Sequence, residues 1–174
     1  WDSGFHNNGA LYGGAIRNDG SELVVVRGAF SGNTATRNGG AIDNTITGLQ
    51  VGESTFSVNR ADYYGGAIYN SGYHVNHPLW IYDTTFYSNS CGLFGGGVYN
   101  TQNGRAIIAG STFDSNRADK GGGIGSGQGT HVELANATLS SNSAEDSGGG
   151  LYLTNAARVT ATNVSMVGNS AVAN

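Results

Sequence analysis

One phrase of four residues returns six times along the chain: two glycines, then alanine or glycine, then an aliphatic residue. It stands at Gly13–Ile16, Gly39–Ile42, Gly65–Ile68, Gly95–Val98, Gly121–Ile124 and Gly148–Leu151, in steps of 26, 26, 30, 26 and 27 residues. A second phrase, an apolar residue, two others and an asparagine, runs in phase with it. It reads FHNN at Phe5–Asn8, FSGN at Phe30–Asn33, FSVN at Phe56–Asn59 and FYSN at Phe86–Asn89. It continues as FDSN at Phe113–Asn116, LSSN at Leu139–Asn142 and MVGN at Met166–Asn169. Self-similarity at a fixed period of this length is the mark of stacked repeats rather than of a closed globule.

Alignment on the phenylalanine exposes two further apolar columns. Seven residues before it stand Leu23, Leu49, Leu79, Ala106, Val132 and Val159; five before it stand Val25, Val51, Ile81, Ile108, Leu134 and Ala161. The residues between them are mixed, so the pattern has a period of two and reads as a strand with one buried face. Each repeat then holds three short strands: Leu-x-Val, a second ending at the phenylalanine, and Gly-Gly-x-Ile. Three strands in about 26 residues cannot enclose a core alone, whereas stacking like coils can. The reading is an all-β fold, a right-handed parallel β-helix of six to seven coils over a single domain, residues 1–174. The hand follows the general rule for parallel crossovers. At about 4.8 Å per coil the rod is roughly 30 Å long.

The asparagines Asn33, Asn59, Asn89, Asn116, Asn142 and Asn169, with Asn8 before them, are expected at a corner. There each side-chain amide can bond its neighbours above and below. One glycine of each pair is expected at positive φ, and neither adds bulk where the coil narrows. A second ladder is expected at Asn18, Asn44, Asn70 and Asn100, lapsing at Ser126 and Leu153.

Composition agrees with this architecture. Glycine supplies 30 residues, proline one, and only 11% of the chain is charged, so little or no helix is expected. The net charge of −4 comes without a basic patch, which excludes nucleic acid as a natural partner. The single cysteine, Cys91, rules out an internal disulfide framework. No apolar run approaches the roughly 20 residues of a membrane-spanning helix. The chain opens on Trp1 without a signal peptide and is expected to be a mature or excised segment. Much Asn, Ser and Thr with a single Lys points to an extracellular or cell-surface location.

The paired phrases GGAI and FxxN resemble the repeats of the chlamydial polymorphic outer membrane proteins, and those of many secreted bacterial β-helix proteins. The resemblance covers essentially the whole chain. It implies the passenger of a surface-exposed autotransporter and a role in adhesion. These residues are not expected to form a translocating β-barrel, so membrane attachment does not carry over from the resemblance.

Catalysis on this architecture needs clustered carboxylates on one face, as in the pectate lyases, polygalacturonases and tailspike glycosidases. Here the acids are scattered. Asp62, Asp119 and Glu145 share a corner position and read as solvated turn residues, and Asp2, Asp19, Asp43 and Asp83 do not recur in register. His74 and His77 lie three apart in the one enlarged turn, and His6 and His131 are isolated; neither metal nor cofactor is expected. Cys91 is expected as a small buried thiol. Thr55, Thr85, Thr112, Thr138 and Ser165 form an outward rank. Regular threonine ranks serve ice binding, but the neighbouring outward column is irregular.

Several outward positions are apolar. Val24 and Val26, Trp80 and Tyr82, and Ile107 and Ala109 are expected as three successive apolar rungs, and Tyr69, Tyr99 and Tyr152 as a second exposed set beside Tyr12, Tyr64 and Phe94. Such patches mark contacts. The partners expected are a second copy of the chain, end to end or side by side, or surface glycans or proteins. Neither end looks like a polar cap, which leaves a piece of a longer passenger or a fibre subunit. The leading reading is a non-catalytic extracellular structural or adhesive solenoid. Its rivals are a carbohydrate-active enzyme and, behind it, an ice-binding protein.

Overall fold

A computed structural model describes residues 3–72 and 77–172. Trp1, Asp2 and His74 lie outside the described residues. Every described strand pairs in parallel with the equivalent strand one repeat away, and no described residue is helical. The chain is a β-solenoid.

The expectation of three strands per coil is corrected to four. One coil runs through Ile42–Thr45, Leu49–Gly52, Thr55–Ser57 and Arg60–Ala61. Repetition gives two six-stranded and two seven-stranded sheets. The fourth strand follows the ladder asparagine and spans only two residues in most coils. Its inward position is Ala35, Ala61, Cys91, Ala118 and Ala144, all buried. The second strand continues one residue past the phenylalanine, and the third begins at the aliphatic residue, not at the glycines. The glycine pair is the turn before that strand.

The apolar columns fill the interior. Like residues are Cα partners from coil to coil: Leu49 with Leu79, Val51 with Ile81, Ile42 with Ile68, Phe56 with Phe86. Phe30, Phe56, Phe86 and Phe113 are fully buried. With Phe5 they form a continuous stack, centroids 4.4–5.0 Å apart and rings within 9° of parallel. Burial contributes roughly 1.5–3 kcal/mol for each such ring, and stacking adds to it. The leucine, valine, isoleucine and phenylalanine columns therefore form one core running the length of the rod.

The asparagine ladder closes the polar account. Asn116 donates from Nδ2 to Asn142 Oδ1 at 2.9 Å and to the Phe86 carbonyl at 3.0 Å. Its Oδ1 accepts from Asn89 Nδ2 at 3.0 Å and from the Asn89 backbone N–H at 2.9 Å. All four hydrogen-bonding valences of the amide are filled. Asn33, Asn59, Asn89 and Asn142 repeat the pattern, each completely buried. The second ladder is present too, Asn18 to Asn44 to Asn70 to Asn100 at 2.6–2.7 Å, and Asn100 ends it on the Gly104 carbonyl.

A third ladder was not read from the sequence. Ser54, Thr84 and Ser111 each accept the backbone N–H of the equivalent position one coil back and donate to the carbonyl two residues before their own. Its signal is a serine or threonine two places before the phenylalanine in three successive coils.

The glycines act as expected, in two distinct ways. Gly39 and its equivalents sit at positive φ, between 56° and 74°, which costs an L side chain about 1–2 kcal/mol. The second glycine of the first five pairs meets its counterpart in the next coil: a Cβ on Gly66 would lie 2.1 Å from the Gly96 carbonyl oxygen.

Candidate interaction surfaces

Alternation on the Leu-x-Val strands turns Val24, Trp80 and Ile107 outward. Trp80 and Ile107 are direct neighbours, but Gln50 lies between Val24 and Trp80. The expected three successive rungs are thus two rungs and a separate valine pair. Gly52 occupies the gap between Val26 and Tyr82, and the Tyr82 ring lies over it, 1.9 Å from where a Cβ would stand. Tyr82 thereby covers bare backbone and is only half exposed. Val24 is 54% exposed and Trp80 47%, so these two dominate the face. Past Ile107 the column becomes Glu133 and Thr160. Arg105 clamps Glu133 through two hydrogen bonds of 2.6 and 2.9 Å and holds its carboxyl below the usual range.

The tyrosine set departs further from expectation. Tyr99 is buried, 7% exposed, and no rung of a surface. Its ring lies 5.2 Å from Tyr64, 5.5 Å from Phe94 and 6.1 Å from Tyr69. Burial also raises its phenol pKa. Gly125 separates Tyr99 from Tyr152 in the register, and Phe94 spans the gap by stacking on Tyr152 at 5.8 Å. Two columns flanking the glycine turn, Tyr64 and Phe94 before it and Tyr69, Tyr99 and Tyr152 after it, interlock into one aromatic corner. Lys120 closes the corner, 5.9 Å from the Phe94 ring and 2.9 Å from Asp146. Tyr12 stands apart, with Asn38 taking the intervening place beside Tyr64.

Each of the three corner acids named from the sequence lies beside a basic side chain. Asp62 binds Arg60 at 3.2 Å, Glu145 binds Arg117 at 2.8 Å and Asp119 lies 3.9 Å from Lys120. The coil of Ser90 and Cys91 separates Asp62 from Asp119. These exposed pairs contribute little to stability. Among the described residues no three His, Cys, Asp or Glu converge on a metal position. His6 is exposed beside Ser31 at 2.6 Å, and His131 bonds Thr160 at 3.0 Å. Cys91 packs against Ala61 and Ala118, and burial pushes its thiol up to about 12; at that value it is a poor nucleophile. Thr55, Thr85, Thr112 and Thr138 align in register as a single rank beside Ser57, Tyr87, Asp114 and Ser140. No helix of the described residues is long and apolar enough to cross a membrane.

The third outward column departs from the others. It runs Arg17, Asp43, Tyr69, and Asp43 is 1% exposed. Asp43 has no counterpart at this position in the other coils, so no repeat marks it in the sequence. No neighbour bonds either of its carboxylate oxygens.

The family model of the Chlamydia polymorphic membrane protein repeat matches residues 28–45 and 53–71. Each window carries one FxxN phrase and the GGAI phrase after it. No curated protein and no solved structure matches the chain. The family suggests a surface-exposed or outer-membrane setting. The matched windows form successive coils of one parallel stack, so the chain is a β-solenoid with two coils similar to the Chlamydia polymorphic membrane protein repeat.

Proposed function

We propose that this solenoid is a non-catalytic, extracellular adhesive segment that contacts a partner surface through its flank. The observation that carries the reading is the exposure of Val24 and Trp80 on one flank of the rod. Apolar side chains held flat on a sheet bury area at small entropic cost, and Trp is favoured at such contacts. The matched repeats, of a surface-protein family, support the same reading. End-to-end association of copies is a second part of this proposal, supported by the parallel, like-on-like pairing by which each described coil stacks on the next.

Beads coated with the chain should attach to cultured epithelial cells, and a Val24→Ser, Trp80→Ser, Ile107→Ser variant should lose most of that attachment while keeping its circular dichroism spectrum. Attachment no better than that of albumin-coated beads would end the proposal. Electron microscopy of the purified chain tests association: filaments are expected at high concentration, and monodisperse short rods would remove that part.

A further inference from the structure

Beside the aromatic corner lies a cavity of roughly 280 Å3, lined among others by Tyr12, Arg17, Asn38, Asp43, Tyr69 and Gln102. Three buried side-chain oxygens among the described residues have no hydrogen-bond partner: both of Asp43 and Oε1 of Gln102. All three belong to residues lining this one cavity. They are acceptors only, once the carboxyl is ionised. A buried acceptor left unpaired carries a penalty that the fold avoids everywhere else along its ladders.

The charge present does not repair this. Arg17 is the nearest cation, but its guanidinium lies over the Tyr12 ring at 4.6 Å and pairs with Asp19 at 3.6 Å. Arg17, Asp19 and Asp43 sum to one negative charge. Asp43 points outward by strand alternation, since Ile42 and Asn44 on either side fill the core and the second ladder. Burial raises its carboxyl to about 6, with Arg17 opposing and Asp19 adding to the rise. It is still ionised at neutral pH.

We propose that this cavity is a binding site for a monovalent organic cation, a primary ammonium or a guanidinium, whose N–H groups bond Asp43 and Gln102 beside the Tyr12 and Tyr69 rings. Such a group supplies only donors, neutralises one charge and gains from the ring faces. A neutral sugar would leave the charge uncompensated. A divalent ion would exceed it and would face Arg17. Arg17 is half exposed and is the side chain that moves aside on entry. The natural source of such a cation is a lysine or arginine side chain of a partner protein. The cavity holds or rejects the cation whether or not the solenoid adheres to cells.

The test is titration of the chain at pH 8 with N-acetyl-lysine methylamide and with N-acetyl-arginine methylamide, followed by calorimetry and by the carboxyl carbon resonance of Asp43. Saturation at about millimolar concentration is expected for one of the two, which names the group. Asp43→Asn, matched in size and freed of the charge, should weaken it about tenfold or more without lowering the melting temperature. Lowering the pH to 5 should weaken it likewise. Several results would overturn the site: no saturable binding by either compound, equal binding by Asp43→Asn, or preferential binding of glucose or Ca2+. An Asp43 carboxyl that titrates in the ordinary range and rises only in Arg17→Ala would do the same, because Arg17 would then already fill the role.

Discussion

Replacing Asn116 by alanine isolates what one rung of the asparagine ladder contributes. The side chain is completely buried and its amide makes four hydrogen bonds. Truncation strands two buried donors on Asn89, its backbone N–H and one amide hydrogen. Asn142 Oδ1 keeps the Asn116 backbone N–H and is not orphaned. At about 1–3 kcal/mol for each unsatisfied buried group, the loss centres on about 4 kcal/mol. For a chain of this size that lowers the melting temperature by about 8–16 °C. Asn8 is the internal control: it is exposed, and its backbone N–H continues to bond Asn33 Oδ1 when the side chain is gone. Asn8→Ala should cost less than about 1 kcal/mol. Thermal circular dichroism of both variants measures the difference, and native-state hydrogen exchange should show the Asn89 amide exposed in Asn116→Ala. If Asn116→Ala melts no lower than Asn8→Ala, or if exchange at Asn89 is unchanged, the ladder is not the device that holds the corner.

Other outcomes follow from the same structure. Asp43 is held from 3.8 up to about 6, so the folded chain keeps this proton longer than the unfolded chain. Its contribution is favourable below about pH 3.8 and is lost as pH rises through about 6. Asp43→Asn should accordingly be more stable than the parent by about 3 kcal/mol above pH 7 and equal to it near pH 4; equal melting at both values would refute the burial of that charge. Val58 sits at φ 56° and is 60% exposed, where Gly32 and Gly168 stand in other coils. Val58→Asn should raise the melting temperature by about 2–4 °C, and a decrease would count against the strain. Gly66→Ala drives a Cβ to 2.1 Å from a backbone oxygen and should cost on the order of 3 kcal/mol or prevent folding, seen as loss of soluble folded chain. Cys91, at about 12 against 9.0, holds about a thousandfold less thiolate. It should react with a disulfide reagent only after denaturation, and prompt labelling of the folded chain would contradict its burial.

The parts of the fold that could be read in advance are those where one coil repeats another. The phenylalanine, leucine and isoleucine columns and both asparagine ladders are enforced by stacking identical groups at identical positions, and identity is what a sequence displays directly. The fourth strand escaped because two residues are too short to show alternation, and its inward residue is mostly alanine, unremarkable in a glycine-rich chain. The expected apolar ridge failed where the reading passed over Gln50 and Gly52, one coil that broke the column. Tyr99 failed differently: its strand position is outward, yet rings from across the glycine turn bury it, and no period within one strand reports on a neighbouring corner. Asp43 is the extreme case. Its neighbours along the axis are Arg17 and Tyr69, and its isolation depends on how Arg17 is engaged elsewhere. An irregular column carries no repeat, so its chemistry appeared only in three dimensions.

The asparagine ladder also has a direction. From Asn8 to Asn142 each rung donates one amide N–H to the side-chain oxygen of the next higher-numbered rung, and from Asn33 to Asn169 each oxygen receives from the rung below. The side-chain dipoles therefore add along the rod instead of cancelling, and the molecule is electrically vectorial. A second solenoid can prolong that series only by joining tail to head. A two-fold encounter of like ends sets donor against donor or acceptor against acceptor, so growth along this axis favours an open, translational series over a closed pair.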